Sequence, residues 1–238
     1  GFLGALGSGV YWTLTPVSYE ARAILEMAQA NNSLGSNGNN VEAPALLIER
    51  LRIPSTYTST VIKACELEKD REPSEAMARM VKSDLPGNLG STLLIKLRRA
   101  NPELAKQCLD ATLKMIQTQQ NLLLQPYLRA LKTRISGLEG RMHQVQSDLA
   151  ILEKRQSFQI AYFARRDEYR HLIQQLEESQ LALLRVTQAR LNSDIYVGTN
   201  PVSPSLILTL VLGTLIGLVI GFLLAIGGKL FARVHREA

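Results

Sequence analysis

LQPYLRALKTRISGLEGRMHQVQSDLAIL, residues 124–152, carries an unbroken apolar register. Leu124, Leu128, Leu131, Ile135, Leu138, Met142, Val145, Leu149 and Leu152 are spaced alternately by four and three. That repeat keeps one seam of an α-helix turned toward a partner helix, so the stretch predicts a coiled-coil arm. Lys132, Arg134, Glu139, Arg141, Glu153 and Arg155 flank the seam as charged shoulders. Gly137 and Gly140 each weaken the helix by up to about 1 kcal/mol relative to Ala, and they let a neighbour come close. Pro126 is expected to kink the helix or to mark a boundary. Upstream, Asn101 caps, Pro102 starts and Glu103 suits the first turn of the same helical region.

A second seam follows at Tyr169, Leu172, Leu176, Ser179, Leu183 and Val186, widened by Ile173. Between the seams, EKRQSFQIAYFARR loses the heptad phase, with Gln156 and Gln159 at the next expected seam positions. This favours an antiparallel hairpin folded near residues 156–159, with arms at 124–152 and 163–191 of about 42 Å each. In that register Leu138 stands level with Glu177. The rival arrangement is one continuous rod, which would carry the chain far from its next element. Phe158, Ile160, Tyr162 and Phe163 crowd the tip, either as its packing or as a docking patch.

Working back from the arm, residues 19–27 alternate apolar and polar and predict a strand. NNSLGSNGNN at 31–40 is a loop by composition. It lacks the Lys-Ser/Thr of a phosphate-binding loop. Short helices are expected at 43–51, 56–68 (after Pro54-Ser55) and 74–82 (after Pro73). A turn follows at 85–88, then a second strand at 92–98, and a third is expected at 194–198 before the chain moves on. Cys65 and Cys108 read as two small buried side chains on helices, with a single bridge as the alternative.

Working forward, LILTLVLGTLIGLVIGFLLAI at 206–226 has no charged residue. It is long enough to cross a bilayer core of about 30 Å as a helix. Lys229, Arg233 and Arg236 follow and favour the cytoplasmic side. Gly213, Gly217 and Gly221 recur on one face, a spacing that allows close helix packing in lipid. Pro201 and Pro204 read as a rigid joint at the membrane entry. Residues 1–15, uncharged and with Tyr11 and Trp12, read as the outer half of a first transmembrane helix. The expectation is an α+β membrane protein with both termini cytoplasmic. It comprises the end of a first span (1–15), a membrane-proximal α/β base (16–100), a long extracytoplasmic antiparallel helical hairpin (101–192), a final strand and Pro-containing joint (193–204), a second span (205–228) and a tail (229–238).

The formal charge is +6, but both signs are mixed along the middle of the chain. No basic block with interleaved aromatics points to nucleic acid. His143, His171 and His235 stand without HExxH or CxxC partners, and no GxSxG occurs. Dispersed carboxylates give no support to glycosidase chemistry. The sequence therefore predicts no enzyme activity, cofactor or metal.

In its order of parts the chain resembles the polysaccharide co-polymerase, or chain-length determinant (Wzz-type), family. SYEARAILEM after a first span, the strand-to-helix passage STLLIKLRRANPELA, the long helical arm, and PVSPS before a glycine-rich last span carry the likeness. It covers nearly the whole sequence and rests on order and spacing. The resemblance implies a bacterial inner-membrane protein with its main domain in the periplasm. It implies a homo-oligomeric ring, an octamer being one size it can take. It also implies control of O-antigen, capsule or exopolysaccharide chain length beside a polymerase, and contact with the polysaccharide itself. Some relatives continue into a cytoplasmic tyrosine kinase; with the sequence stopping at Ala238, none is expected here. The alternative function is an inner-membrane adaptor whose hairpin docks an exporter or outer-membrane channel.

Overall fold

A computed structural model describes residues 17–30, 39–87, 90–154 and 159–203, with positions 211, 214, 215, 218, 219 and 222 of the last apolar stretch. The chain begins with β1 (Tyr19–Glu26), β2 (Gln29–Ala30) and β3 (Asn39–Asn40). Next come α1 (Pro44–Leu51), a 3-10 turn (Pro54–Thr56), α2 (Ser59–Ala64), α3 (Pro73–Met80), β4 (Lys82–Asp84) and β5 (Thr92–Arg99). The long α4 (Pro102–Glu153) and α5 (Gln159–Leu184) follow, then β6 (Arg190–Leu191) and β7 (Tyr196–Val197).

β1 is a central strand because its alternation supplies one fully apolar face. Ala21, Ala23 and Leu25 are buried, as are Leu93, Ile95 and Leu97 of β5. The two strands pair antiparallel from Tyr19 opposite Arg99 to Glu26 opposite Thr92. The sheet runs β4-β5-β1-β6, and β7 also pairs with β1. Every pairing is antiparallel. β4 occupies residues expected to end a helix at 82. Met77 buries in the core and Val81 turns to extended backbone, so the chain leaves α3 directly into the sheet. The helix expected at 56–68 is shorter, a 3-10 turn followed by α2. Gly87 takes a φ of +56° in the turn before β5, a conformation that glycine adopts without a Cβ penalty.

The buried side of the sheet packs on α4. Ala105, Cys108, Leu109, Leu113, Met115 and Ile116 join Leu25, Ile95 and Leu97 in one core with Leu47, Leu51, Val61 and Met77. The first turns of α4 are thus part of the base. Asn101 caps the helix, its Oδ1 accepting from the Glu103 N–H at 2.9 Å. Pro126 neither ends the helix nor marks a boundary, because α4 runs through it. Proline removes one backbone hydrogen bond there, while the fully buried Leu124 and the seam beyond hold both halves in helical register.

α4 and α5 form the antiparallel hairpin, not a rod. Cross-arm ion pairs join Arg141 to Glu168 at 3.5 Å and Arg165 to Asp148 at 3.4 Å. All nine seam residues of the first arm are buried or half-buried. Leu138, Val145 and Leu172 form a core with Met142, Leu149, Tyr169 and Leu176 packed against it. The register corrects the expected level of Leu138. It shares a cluster with Leu172, and the Arg141–Glu168 pair just beyond it excludes Glu177 as its opposite number. Gly137 and Gly140 do not serve close approach within the chain, since a Cβ at either would meet nothing within 4 Å.

Candidate functional site

Three regions surround this frame: the point where the chain enters and leaves the base, the neck between base and hairpin, and the hairpin tip. At the first, the Ser18 N–H donates to the Ser203 carbonyl at 2.9 Å and the Val202 N–H donates to the Ser18 carbonyl at 2.7 Å. The two ends of the domain therefore leave side by side, with Val17 and Val202 exposed. Pro201 sits exposed in this exit. Pro204, Gly213, Gly217 and Gly221 lie outside the described residues. Among the described residues no helix is long and apolar enough to cross a membrane. The described positions of the 206–226 stretch are helical and expose Val211, Leu215, Leu218, Val219 and Phe222.

The neck lies at the other end of β1. Ala28, Ala30, Leu124 and Ala189 pack there with Val41, Tyr127, Leu128 and Val186 around them. The returning chain is stitched to β2 by reciprocal Gln29 and Thr187 backbone bonds. Gln120, fully buried, donates to Glu42, which also receives Arg50 at 2.9 Å. Asn121 Oδ1 accepts from the Ala189 N–H at 3.3 Å. A charged group inside a neck is stable only when paired and hydrogen-bonded, and Glu42 has both. Nothing in the local pattern of residues 42, 50 and 120 announces this cluster, because its members come from three separate segments.

The base holds a feature that corrects the reading of free buried thiols. Cys65, at the C-cap of α2, and Cys108, in the second turn of α4, form a disulfide with Cα atoms 4.6 Å apart. Both side chains are fully buried. Short α2 needs the staple because only Val61 of its own residues is buried. The Arg99 guanidinium donates to the Cys65 carbonyl, and Glu66 follows with a left-handed φ of 52°. Nearby, the Tyr57 hydroxyl donates to the Leu51 carbonyl at 2.6 Å, and burial pushes its phenol up.

At the tip, Phe158 lies outside the described residues. Tyr162 is half-buried and meets Phe163 edge-on at 5.9 Å. Phe163 is 57% exposed and Ile160 is 88% exposed, with Ile151 exposed on the facing arm. These three apolar side chains do not pack the tip of the single chain. Just below them Arg165 bonds Glu168 at 2.6 Å. That hydrogen bond, followed by the charge of Arg165 and the bond from Arg141, holds the Glu168 carboxyl below its usual range against a smaller opposing effect of desolvation.

No family model matches the chain, and no curated protein matches it significantly. Among solved structures it is similar to a full-length bacterial polysaccharide co-polymerase, at 14% identity over 98% of this chain and 92% of that one, with a TM-score of 0.41. It is also similar to a point mutant of the Shigella flexneri lipopolysaccharide O-antigen chain-length regulator WzzBSF. There the identity is 14% over 77% of this chain and 99% of that one, with a TM-score of 0.24.

Proposed function

We propose that this chain is a non-enzymatic inner-membrane scaffold that regulates the chain length of a surface polysaccharide together with its polymerase. The observation that carries the reading is the pairing of Ser18 with Ser203 at one end of β1, while the hairpin leaves from the other. Two apolar segments then enter one membrane side by side, and the hairpin projects away from it by more than about 40 Å. The Cys65–Cys108 disulfide supports an extracytoplasmic base, because such bonds persist in oxidising compartments such as the bacterial periplasm. The basic residues after 226 favour the cytoplasmic side for the tail.

A ring of identical subunits completes the scaffold, with heterologous contacts that close and Gly213, Gly217 and Gly221 packing in the membrane. Such a body acts by holding the polymerase or the growing chain, so it sets how long polymerisation continues and not whether a bond forms. The test is a length ladder of surface polysaccharide from cells with and without the gene. Loss of the modal length with polymer still made supports regulation; an unchanged ladder refutes it. The exposed Ile160 and Phe163 favour one other reading, an export adaptor whose tip docks a channel. Polymer trapped in the periplasm at unchanged length is its signature.

A further inference from the structure

The helices cover one face of the sheet; the other face carries Glu20, Arg22, Ile24, Glu26, Leu94, Lys96 and Arg98, none of them buried. One row across this open face is built from directly opposed residues. Tyr196 of β7 stands opposite Arg22 of β1, Arg22 opposite Lys96 of β5, and Lys96 opposite Lys82 of β4. At the usual strand spacing the row is roughly 14 Å long. Like charges directly opposed across strands destabilise a sheet, and here three cations are lined up in succession.

Of the described carboxylates on this face only Asp84 meets the row, and it neutralises Lys96 alone. Glu20 is held by Arg98 at 2.9 Å, Glu26 by Arg190 at 2.8 Å, and Asp84 by Lys96 at 2.9 Å. Arg22 and Lys82 have no carboxylate partner among the described residues. Arg22 instead lies 4.5 Å over the Tyr196 ring, and the tyrosine remains 56% exposed.

We propose that this row binds an acidic glycan, a polymer bearing carboxylate or phosphate groups at intervals along its chain. Extended cations fit repeated anionic groups, and an exposed phenol offers the apolar face and polar edge that suit a sugar ring. A lipid headgroup fits less well, because the row crosses the strands about four residues, roughly 13 Å, up β1 from the chain exit at Ser18. The choice of polymer rests on the polysaccharide reading above.

The experiment uses the full chain in a neutral detergent, with polygalacturonate as the anionic probe, dextran as the neutral one, and phosphatidylglycerol vesicles as the lipid control. The parent is expected to bind polygalacturonate with an affinity that falls as salt rises, and to ignore dextran. The double variant Arg22→Gln with Lys82→Gln should weaken that binding by about tenfold or more, since charge-assisted bonds are the strong ones. Both residues are exposed, and an intact Cys65–Cys108 bond on a non-reducing gel shows that the variant has folded. Equal binding by parent and variant, no binding by the parent, or loss confined to the lipid vesicles overturns the proposal. Failure here with a gene-dependent length ladder removes the surface and leaves regulation standing. A ladder indifferent to the gene, with polygalacturonate still bound through Arg22 and Lys82, does the reverse.

Discussion

Opening the Cys65–Cys108 bond should destabilise the base far more than the hairpin. The bond joins residues 43 apart in sequence, so in the unfolded chain it closes a loop of that order. The chain-entropy relation then gives a loss of about 4 kcal/mol on replacing both cysteines by alanine, before any change in native packing. With a urea dependence of about 2 kcal/mol per molar, the midpoint for the base falls by roughly 2 M. The loss should be local first. α2 contributes one buried residue of its own, Val61, and the segment after it is tied down by Cys65, Leu67 and the Arg99 bond to the Cys65 carbonyl. Hydrogen exchange in the full chain should therefore rise at 59–67 before it rises at 138–149. Reductant applied to the unfolded parent before refolding should reproduce the variant. A midpoint shift below about 0.5 M, equivalent to roughly 1 kcal/mol, or exchange rising first along the arms, would refute the assignment of the bond as the staple of the base.

Leu138→Ala and Leu172→Ala each empty a nearly fully buried seam position and should cost about 2–5 kcal/mol by urea denaturation, without changing exchange at 59–67. Cysteines placed at 138 and 172 in a chain lacking Cys65 and Cys108 should cross-link within one subunit, and cysteines at 138 and 177 should do so less. Gly137→Ala and Gly140→Ala meet open space and should each stabilise the arm by up to about 1 kcal/mol; if ring assembly in detergent is lost instead, a neighbouring subunit occupies that surface. The pH dependence of the tip has a defined sign. Glu168 has a lowered carboxyl pKa, chiefly through its hydrogen bond from Arg165. Its contribution is therefore present above the unfolded carboxylate range and disappears as pH falls through the folded value. Acidification should loosen the tip in parent protein, read by exchange at 160–170, and Glu168→Gln should remove that pH response.

The two seams were legible because a heptad pattern is local: burial of Leu138, Met142, Val145 and Leu149 follows from spacing once a partner helix is present, whereas Leu124 and Leu128 pack on the neck. The same holds for β1 and β5, whose alternation dictates which side chains enter the core, and for Asn101, whose cap is made two residues away. A boundary at Pro126, one of the two outcomes expected there, is absent because propensity at one residue yields to packing on both sides of it. β4 was missed between the helix expected to end at 82 and the turn at 85–88, since three residues give too short a period to read.

What sequence alone determined is therefore the set of elements with a sustained period, the polar and apolar faces they carry, and the apolar stretch at 206–226. Tertiary structure alone decided which faces meet. Pairing Cys65 with Cys108, setting Leu138 against Leu172, gathering Glu42, Arg50 and Gln120, and aligning Tyr196, Arg22, Lys96 and Lys82 each join residues distant in the chain. Contacts of that kind depend on strand register and helix crossing, and a one-residue shift in either reassigns every partner.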